Sequence, residues 1–183
     1  EYLWGGTRLK KEFGKTDAPD VTAESWELAE LEAGCSLTGS GESLSQLASR
    51  DREKFWGSSI REDQFPVLVK MIDAAKDLSI QVHPSDETAI ARLGEQGKAE
   101  MWYIVDCRPG AFLYYGFSKK IRREEFVRRA KDGTICDVLN RVAVHPGDVF
   151  YIRPGTIHAI GAGTLIAEIQ QSSNTTFRVY DYG

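Results

Sequence analysis

The 183 residues predict a mainly β fold closed by antiparallel pairing, and two observations carry that prediction. From Pro66 onward, short apolar runs rich in Val, Ile, Tyr and Phe are punctuated by Gly and Pro, the pattern of strands in a sandwich or barrel. Three of the breaks are Pro-Gly pairs, at Pro109-Gly110, Pro146-Gly147 and Pro154-Gly155, where Pro presets φ and Gly accepts a positive one. The length fits one domain over 1–183, with no repeat, low-complexity tract or linker.

Taken in order, the stretch of about 10–60 reads as helical or irregular. Positions 12–23 are turn-rich, whereas 43–55 sets Leu44, Leu47, Ala48 and Phe55 on one side of a helix. Strands are predicted over 67–73, 78–83, 100–106, 111–117, 141–144, 148–152, 164–170 and 176–180, with a further strand entered at His158. Two short helices, 86–93 and 123–131, are expected to pack outside the sheets.

Composition narrows the function classes. With 42% hydrophobic and 27% charged residues the chain is ordinary globular material. A net charge of -4 and a pI near 5.5 provide no field for nucleic acid, and the basic stretch 119–131, interrupted by Glu124, Glu125 and Phe126, is expected to be a solvated helix face. Cys35, Cys107 and Cys136 form no Cys-x-x-Cys pair and are expected to be reduced structural thiols. No apolar run approaches the ~20 residues that span a bilayer and no charged-then-apolar leader opens the sequence, so the expectation is a cytoplasmic chain without membrane contact. A first residue that is not methionine, and an abrupt end at Gly183, are expected marks of a shortened product.

Three segments carry chemistry. In 78–84, Gln81 and His83 are two apart in an apolar alternation and face the same side of a strand that Pro84 ends. By itself the pair is better read as a hydrogen-bonded core histidine with a polar neighbour. In 98–105, Glu100 opens a strongly apolar strand, so it is either solvated at the strand end or neutralised by a cation. In 147–161, a strand and a Pro-Gly turn lead to His158. That arrangement resembles the second motif of cupins, whose barrels hold this histidine inside on a metal, although Arg153 stands where cupins usually carry Pro. His145, before Pro146, is expected on a surface loop. One carboxylate, two neutral imidazoles and an amide suit Zn²⁺, and the donor types also admit Mn²⁺, Fe²⁺ or Co²⁺.

The chain resembles the type I phosphomannose isomerase family in its shorter bacterial form. The resemblance rests on Leu3-Trp4-Gly5-Gly6, Glu24-Ser25-Trp26-Glu27, Leu68-Val69-Lys70, Leu78-Ser79-Ile80-Gln81-Val82-His83-Pro84, Lys98-Ala99-Glu100-Met101-Trp102-Tyr103, Pro154-Gly155-Thr156-Ile157-His158-Ala159, Glu168 and Thr176-Phe177-Arg178-Val179-Tyr180-Asp181. It implies a cupin-type barrel (jelly roll) and one zinc or other divalent metal held by Gln81, His83, Glu100 and His158. It also implies a phosphorylated hexose substrate, isomerised between mannose 6-phosphate and fructose 6-phosphate through an enediol. Arg178, Lys98 and Glu168 would be catalytic, and Lys70 and Ser79 would bind substrate. Taken without the resemblance, Arg178 could pair with Asp181 or Glu168, Lys98 could be solvated, Lys70 could neutralise Asp73, and Glu168 could be a base or a partner of Arg178. Asn174 stands where longer members often carry an acid. Two rival readings share the fold: a non-haem iron oxygenase on His83, Glu100 and His158, against which Gln81 argues by filling a position oxygen would need, and a non-catalytic sugar-binding cupin.

Overall fold

The computed structural model describes residues 2–58 and 65–182. In chain order it contains α1 (Arg8–Glu12), β1 (Glu24–Leu28), β2 (Glu30–Leu31), β3 (Gly34–Cys35), α2 (Leu44–Arg50), α3 (Arg52–Trp56), β4 (Val67–Ala74), β5 (Ile80–Val82), α4 (Asp86–Leu93), β6 (Glu100–Cys107) and β7 (Phe112–Phe117). There follow α5 (Arg123–Asp132), a 3-10 turn (Ile135–Val138), β8 (Leu139–Ala143), β9 (Val149–Ile152), β10 (His158–Ile160), β11 (Thr164–Gln171) and β12 (Phe177–Tyr180). Two five-stranded antiparallel sheets, ordered β1-β4-β11-β6-β9 and β12-β5-β10-β7-β8, face each other as a jelly roll, and β2 and β3 form a separate hairpin. No helix among the described residues is long and apolar enough to cross a membrane.

The strand alternation decides what lies between the sheets. In β4, Leu68, Lys70 and Ile72 point inward while Val67, Val69 and Met71 are only half-buried; in β11 the inward set is Ile166, Glu168 and Gln170. At one end of the barrel these positions are apolar, and Ile72, Ile104 and Ile166 of the first sheet pack on Leu113 and Ile160 of the second. Fully burying each such side chain contributes about 1.5–3 kcal/mol. The outer face of the second sheet is closed by α5 and the 3-10 turn, where Ile80 and Ala159 meet Phe126, Ile135 and Val138.

Three expectations need correction. The 10–60 stretch contributes β1 to the first sheet as well as the β2–β3 hairpin, so it is not merely helical or irregular. Its inward residues are Glu24 and Trp26, so β1 lacks the apolar stripe that announces a half-buried strand. The predicted single helix 43–55 is two helices. Ser43 opens α2 with a capping box to Gln46, and Asp51 leaves helical geometry (φ -157, ψ 83) to accept from Lys54 N and start α3. Helix α1 also went unforeseen: Asp73, 65 residues away, accepts its Arg8 N–H at 2.7 Å. Positions 59 and 60 of the predicted N-terminal stretch, and positions 1 and 183 of the predicted domain, lie outside the described residues.

Candidate metal centre

Strand register assembles the centre from two rows. Across the second sheet Arg178 pairs with Gln81, Gln81 with His158, and His158 with Tyr115. Across the first sheet the order is Trp26, Lys70, Glu168, Trp102 and Phe150, with Glu100 two residues before Trp102 on the same inward face. Directly opposed residues share a face with Cβ atoms about 4.5–5.5 Å apart, so each row presents a continuous line of side chains. Between the rows lies a cavity of about 570 Å³ lined by Ser79, Gln81, Lys70, Lys98, Glu168 and Arg178, among others.

At one side of this cavity His83, Glu100 and His158 bring one donor atom each within 4.8 Å of one another, and all three residues are buried. His83 Nδ1 lies 3.1 Å from Thr175 O and His158 Nδ1 2.8 Å from Thr156 O. A carbonyl oxygen only accepts, so each Nδ1 must carry the proton, and each Nε2 is then a lone pair turned toward the centre. His83 Nε2 stands 3.0 Å from Glu100 Oε1 and His158 Nε2 3.7 Å from Glu100 Oε2. His83 Nε2, His158 Nε2 and Glu100 Oε2 make no hydrogen bond of normal geometry with the described residues. Buried lone pairs facing a carboxylate are repulsive unless a cation lies among them, so the donor set fits a divalent metal.

The electrostatics agree. Burial drags His158 down to about 4, leaving the imidazole neutral and able to ligate. Burial would raise Glu100, but the His83 contact and the charge of Lys98 outweigh it and hold the carboxyl well below the usual carboxylate range. Lys98 Nζ is 2.8 Å from Glu100 Oε1, so this lysine is buried at the centre rather than solvated. Its position is set by the preceding residue: Gly97 lies so close to Ser85 and Asp86 that a Cβ there would sit 2.4 Å from Asp86 N, and Lys98 N donates to Pro84 O at 3.1 Å.

The other predicted residues fall as follows. Gln81 lies beside His158 in the register and lines the cavity, as do Ser79 and Arg178. Arg178 pairs with Asp181 at 3.6 Å, and no ion pair joins it to Glu168. Lys70 does not neutralise Asp73, which sits at the opposite strand parity under α1; its Nζ lies 3.0 Å from Glu168 and 3.4 Å from Glu24. Glu168 is buried and accepts from Trp102 Nε1 at 2.8 Å; burial, reinforced by the charge of Glu100, pushes its carboxyl up against the opposing pull of Lys70. Arg153 in place of the usual Pro leaves the turn intact, because Gly155 takes φ +82 and donates to His83 O at 2.8 Å, which keeps His158 in register. His145 is exposed beside Asp148, and all three cysteines are free thiols. Sequence reasoning gave no role to Glu24, Trp26, Trp102 or the carbonyl of Thr175; Glu24 was visible only as part of the Glu24-Ser25-Trp26-Glu27 segment that carries the resemblance.

An antiparallel jelly roll with a two-histidine, one-carboxylate centre between its sheets defines a cupin. More narrowly, residues 1–108 match the family model "Phosphomannose isomerase type I, catalytic domain", and the chain belongs to that family. It is 44% identical to mannose-6-phosphate isomerase ManA of Bacillus subtilis (strain 168), covering 100% of this chain and 58% of that protein. It is 40% identical to mannose-6-phosphate isomerase of Streptococcus mutans, covering 98% of this chain and 57% of that one. The crystal structure of the mannose 6-phosphate isomerase from Bacillus subtilis superposes with a TM-score of 0.91 at 39% identity, covering 100% of this chain and 59% of that chain. The chain therefore spans about 58% of the length of the curated relatives it matches.

Proposed function

We propose that the chain supplies the catalytic centre of a metal-dependent aldose-ketose isomerase that interconverts mannose 6-phosphate and fructose 6-phosphate. The observation that carries this reading is the buried His83, Glu100 and His158 cluster, with its unpartnered inward atoms, opening on a cavity of mixed charge. Gln81, His83, Glu100 and His158 would hold one Zn²⁺, for which two imidazoles, one carboxylate and a neutral amide are suitable donors. The cavity's charged lining supports a phosphorylated substrate: Lys70, Lys98 and Arg178 balance Glu24, Glu100 and Glu168, so a divalent ion leaves a surplus that matches a phosphate dianion. When bound, the ion would polarise a carbonyl or hydroxyl oxygen of the sugar as a Lewis acid.

The residues of the chain divide the remaining work. Arg178, on the exposed rim, holds the phosphate, with Lys70 and Ser79 deeper in the substrate cavity. Glu168 takes the C2 proton of the open-chain aldose and returns it to C1, while the O2 hydroxyl proton passes to O1; the net result is the ketose. Its buried position and raised carboxyl suit it to take up a proton more readily than an ordinary carboxylate. Lys98 stands beside Glu100, where its charge stabilises the oxygen that turns negative in the enediolate.

The metal-loaded, full-length protein should convert fructose 6-phosphate to mannose 6-phosphate in a coupled assay, lose that activity to a chelator and regain it with zinc. Absence of turnover in that protein would end the reading. Iron content with substrate-dependent oxygen uptake would replace it with the oxygenase.

A further inference from the structure

We propose that Glu24 is a positioning residue that shares the Lys70 ammonium with Glu168 and thereby limits how tightly that ammonium holds the Glu168 carboxylate. The inference rests on the reading of Glu168 as the proton carrier. Glu24 is paired with Ile72 in the β1–β4 register, and Lys70 is opposite Trp26 two residues on, so the two charged side chains meet on the diagonal. Lys70 Nζ stands between two carboxylates, 3.0 Å from Glu168 and 3.4 Å from Glu24. The three side chains grade outward from Glu168, 4% exposed, through Lys70 at 9% to Glu24 at 18%. Burial opposes the charge on Lys70, but the two carboxylates outweigh it and keep the ammonium above the ordinary lysine range, so it is a fixed cation for both acids. The strand that carries Glu24 is anchored by its neighbour: Trp26 packs over Gly34 of β3, where a Cβ would lie 3.1 Å from the ring.

Other charged or titratable groups also surround Glu168. From β6 come the Trp102 N–H and the charge of Glu100, and Lys98 precedes that strand; His158 of β10 packs edge-on against Trp102, and Arg178 of β12 lines the same cavity. Within this set Glu24 is the one carboxylate, apart from Glu168 itself, that lies within ion-pair distance of Lys70 among the described residues. An ammonium divided between two anions stabilises each less than it would stabilise one alone, and Glu24 adds its own repulsion toward Glu168. Both effects favour a Glu168 carboxyl that keeps some affinity for a proton, as a carrier needs.

The test uses the zinc-loaded, full-length protein and the pH dependence of kcat/KM. Glu24→Gln should move the acid limb to lower pH and lower kcat on the plateau, because Glu168 becomes a weaker base; KM and zinc content should stay at the parent values. Glu24→Asp, which keeps the charge, should restore the limb toward its original position. An unmoved limb with a raised KM would overturn the proposal and make Glu24 a substrate contact. Should Glu24→Gln fail to fold, Glu24→Ser carries the same expectation and the same refutation. Glu168→Gln separates the two ideas: if it retains full turnover, the assignment of Glu168 as proton carrier is wrong, whatever Glu24 does.

Discussion

Glu100 is contested by four groups: Lys98 at 2.8 Å, His83 at 3.0 Å, His158 at 3.7 Å and the buried environment itself. Removing it leaves two imidazoles without an anionic ligand and a buried lysine without its counter-ion, a change that typically costs several kcal/mol. Glu100→Ala and His158→Ala are therefore expected to abolish stoichiometric zinc, measured by elemental analysis after gel filtration. Arg178→Ala, on the rim, should keep the metal while kcat/KM falls by at least about 100-fold, the scale of removing one charge-stabilising contact. Unchanged metal content in the first pair would refute the ligand assignment. At this scale the sequence picked out His83, Glu100 and His158, the three donors that the fold brings together, and was poor about cations. The Gln-x-His spacing and the Pro-Gly-x-x-His turn are local, so they survive translation into a one-dimensional pattern. The setting of Lys70 is not local, because the partners that explain its burial, Glu24 and Glu168, lie on two other strands.

Elements matter to the centre through where they end. Strand β5 stops at Val82, α4 begins at Asp86, and Gly97 brings the chain back against that helix start before β6 opens with Glu100. Gly97→Ala inserts a methyl 2.4 Å from a backbone nitrogen, so the segment must move. A cost of about 1–3 kcal/mol in unfolding free energy is expected, with weaker zinc binding because Lys98 and Glu100 shift relative to His83. Gly94→Ala is the informative contrast. It ends α4 at φ +70 in open space, so it should lose about 1 kcal/mol with zinc affinity intact. Equal zinc affinity in the two variants, by competition with a chromogenic chelator, would show that the return of the chain onto α4 does not set the centre. The elements that the sequence revealed are those with a local cause, such as α4 with its Ser85 cap and the alternating strands β4, β6 and β11. Strand β1 and helix α1 were hidden for a shared reason: the first turns charged and aromatic groups into the cavity, and the second takes its cap from Asp73 of another strand.

For the molecule as a whole the centre is a joint between sheets, since Glu100 belongs to the first, His158 to the second, and His83 follows directly on β5 of the second. A cation bound there ties the open end of the barrel together, while the opposite end is already closed by Ile72, Ile104, Ile166, Leu113 and Ile160. Antiparallel strands of a sandwich or barrel were legible from their spacing, but the joint was not, because no one-dimensional pattern states which strands face each other. The joint makes stability depend on both metal and pH. Zinc in excess of its dissociation constant by about 100-fold stabilises by about 2.7 kcal/mol, which for a chain of this size raises Tm by about 5–10 °C. Without metal, acid should act in the opposite direction. The His158 imidazole falls from an ordinary 6.5 to about 4 on folding, so between those values the unfolded chain binds the proton that the fold excludes, and stability declines as pH falls from about 6.5 toward 4. Glu100 adds to the decline from about 4.5 downward, because its folded carboxyl resists protonation. Through His158 and Glu100 the metal-free protein is thus expected to lose stability at pH 5 relative to pH 7.5, against the opposite contribution of Glu168, whose raised carboxyl favours the fold as pH falls. Zinc should protect less at pH 5 because protons compete for its ligands. Should His158→Gln show the same change in metal-free Tm between pH 7.5 and pH 5 as the parent, followed by circular dichroism, His158 would not be the neutral, buried ligand on which the site depends.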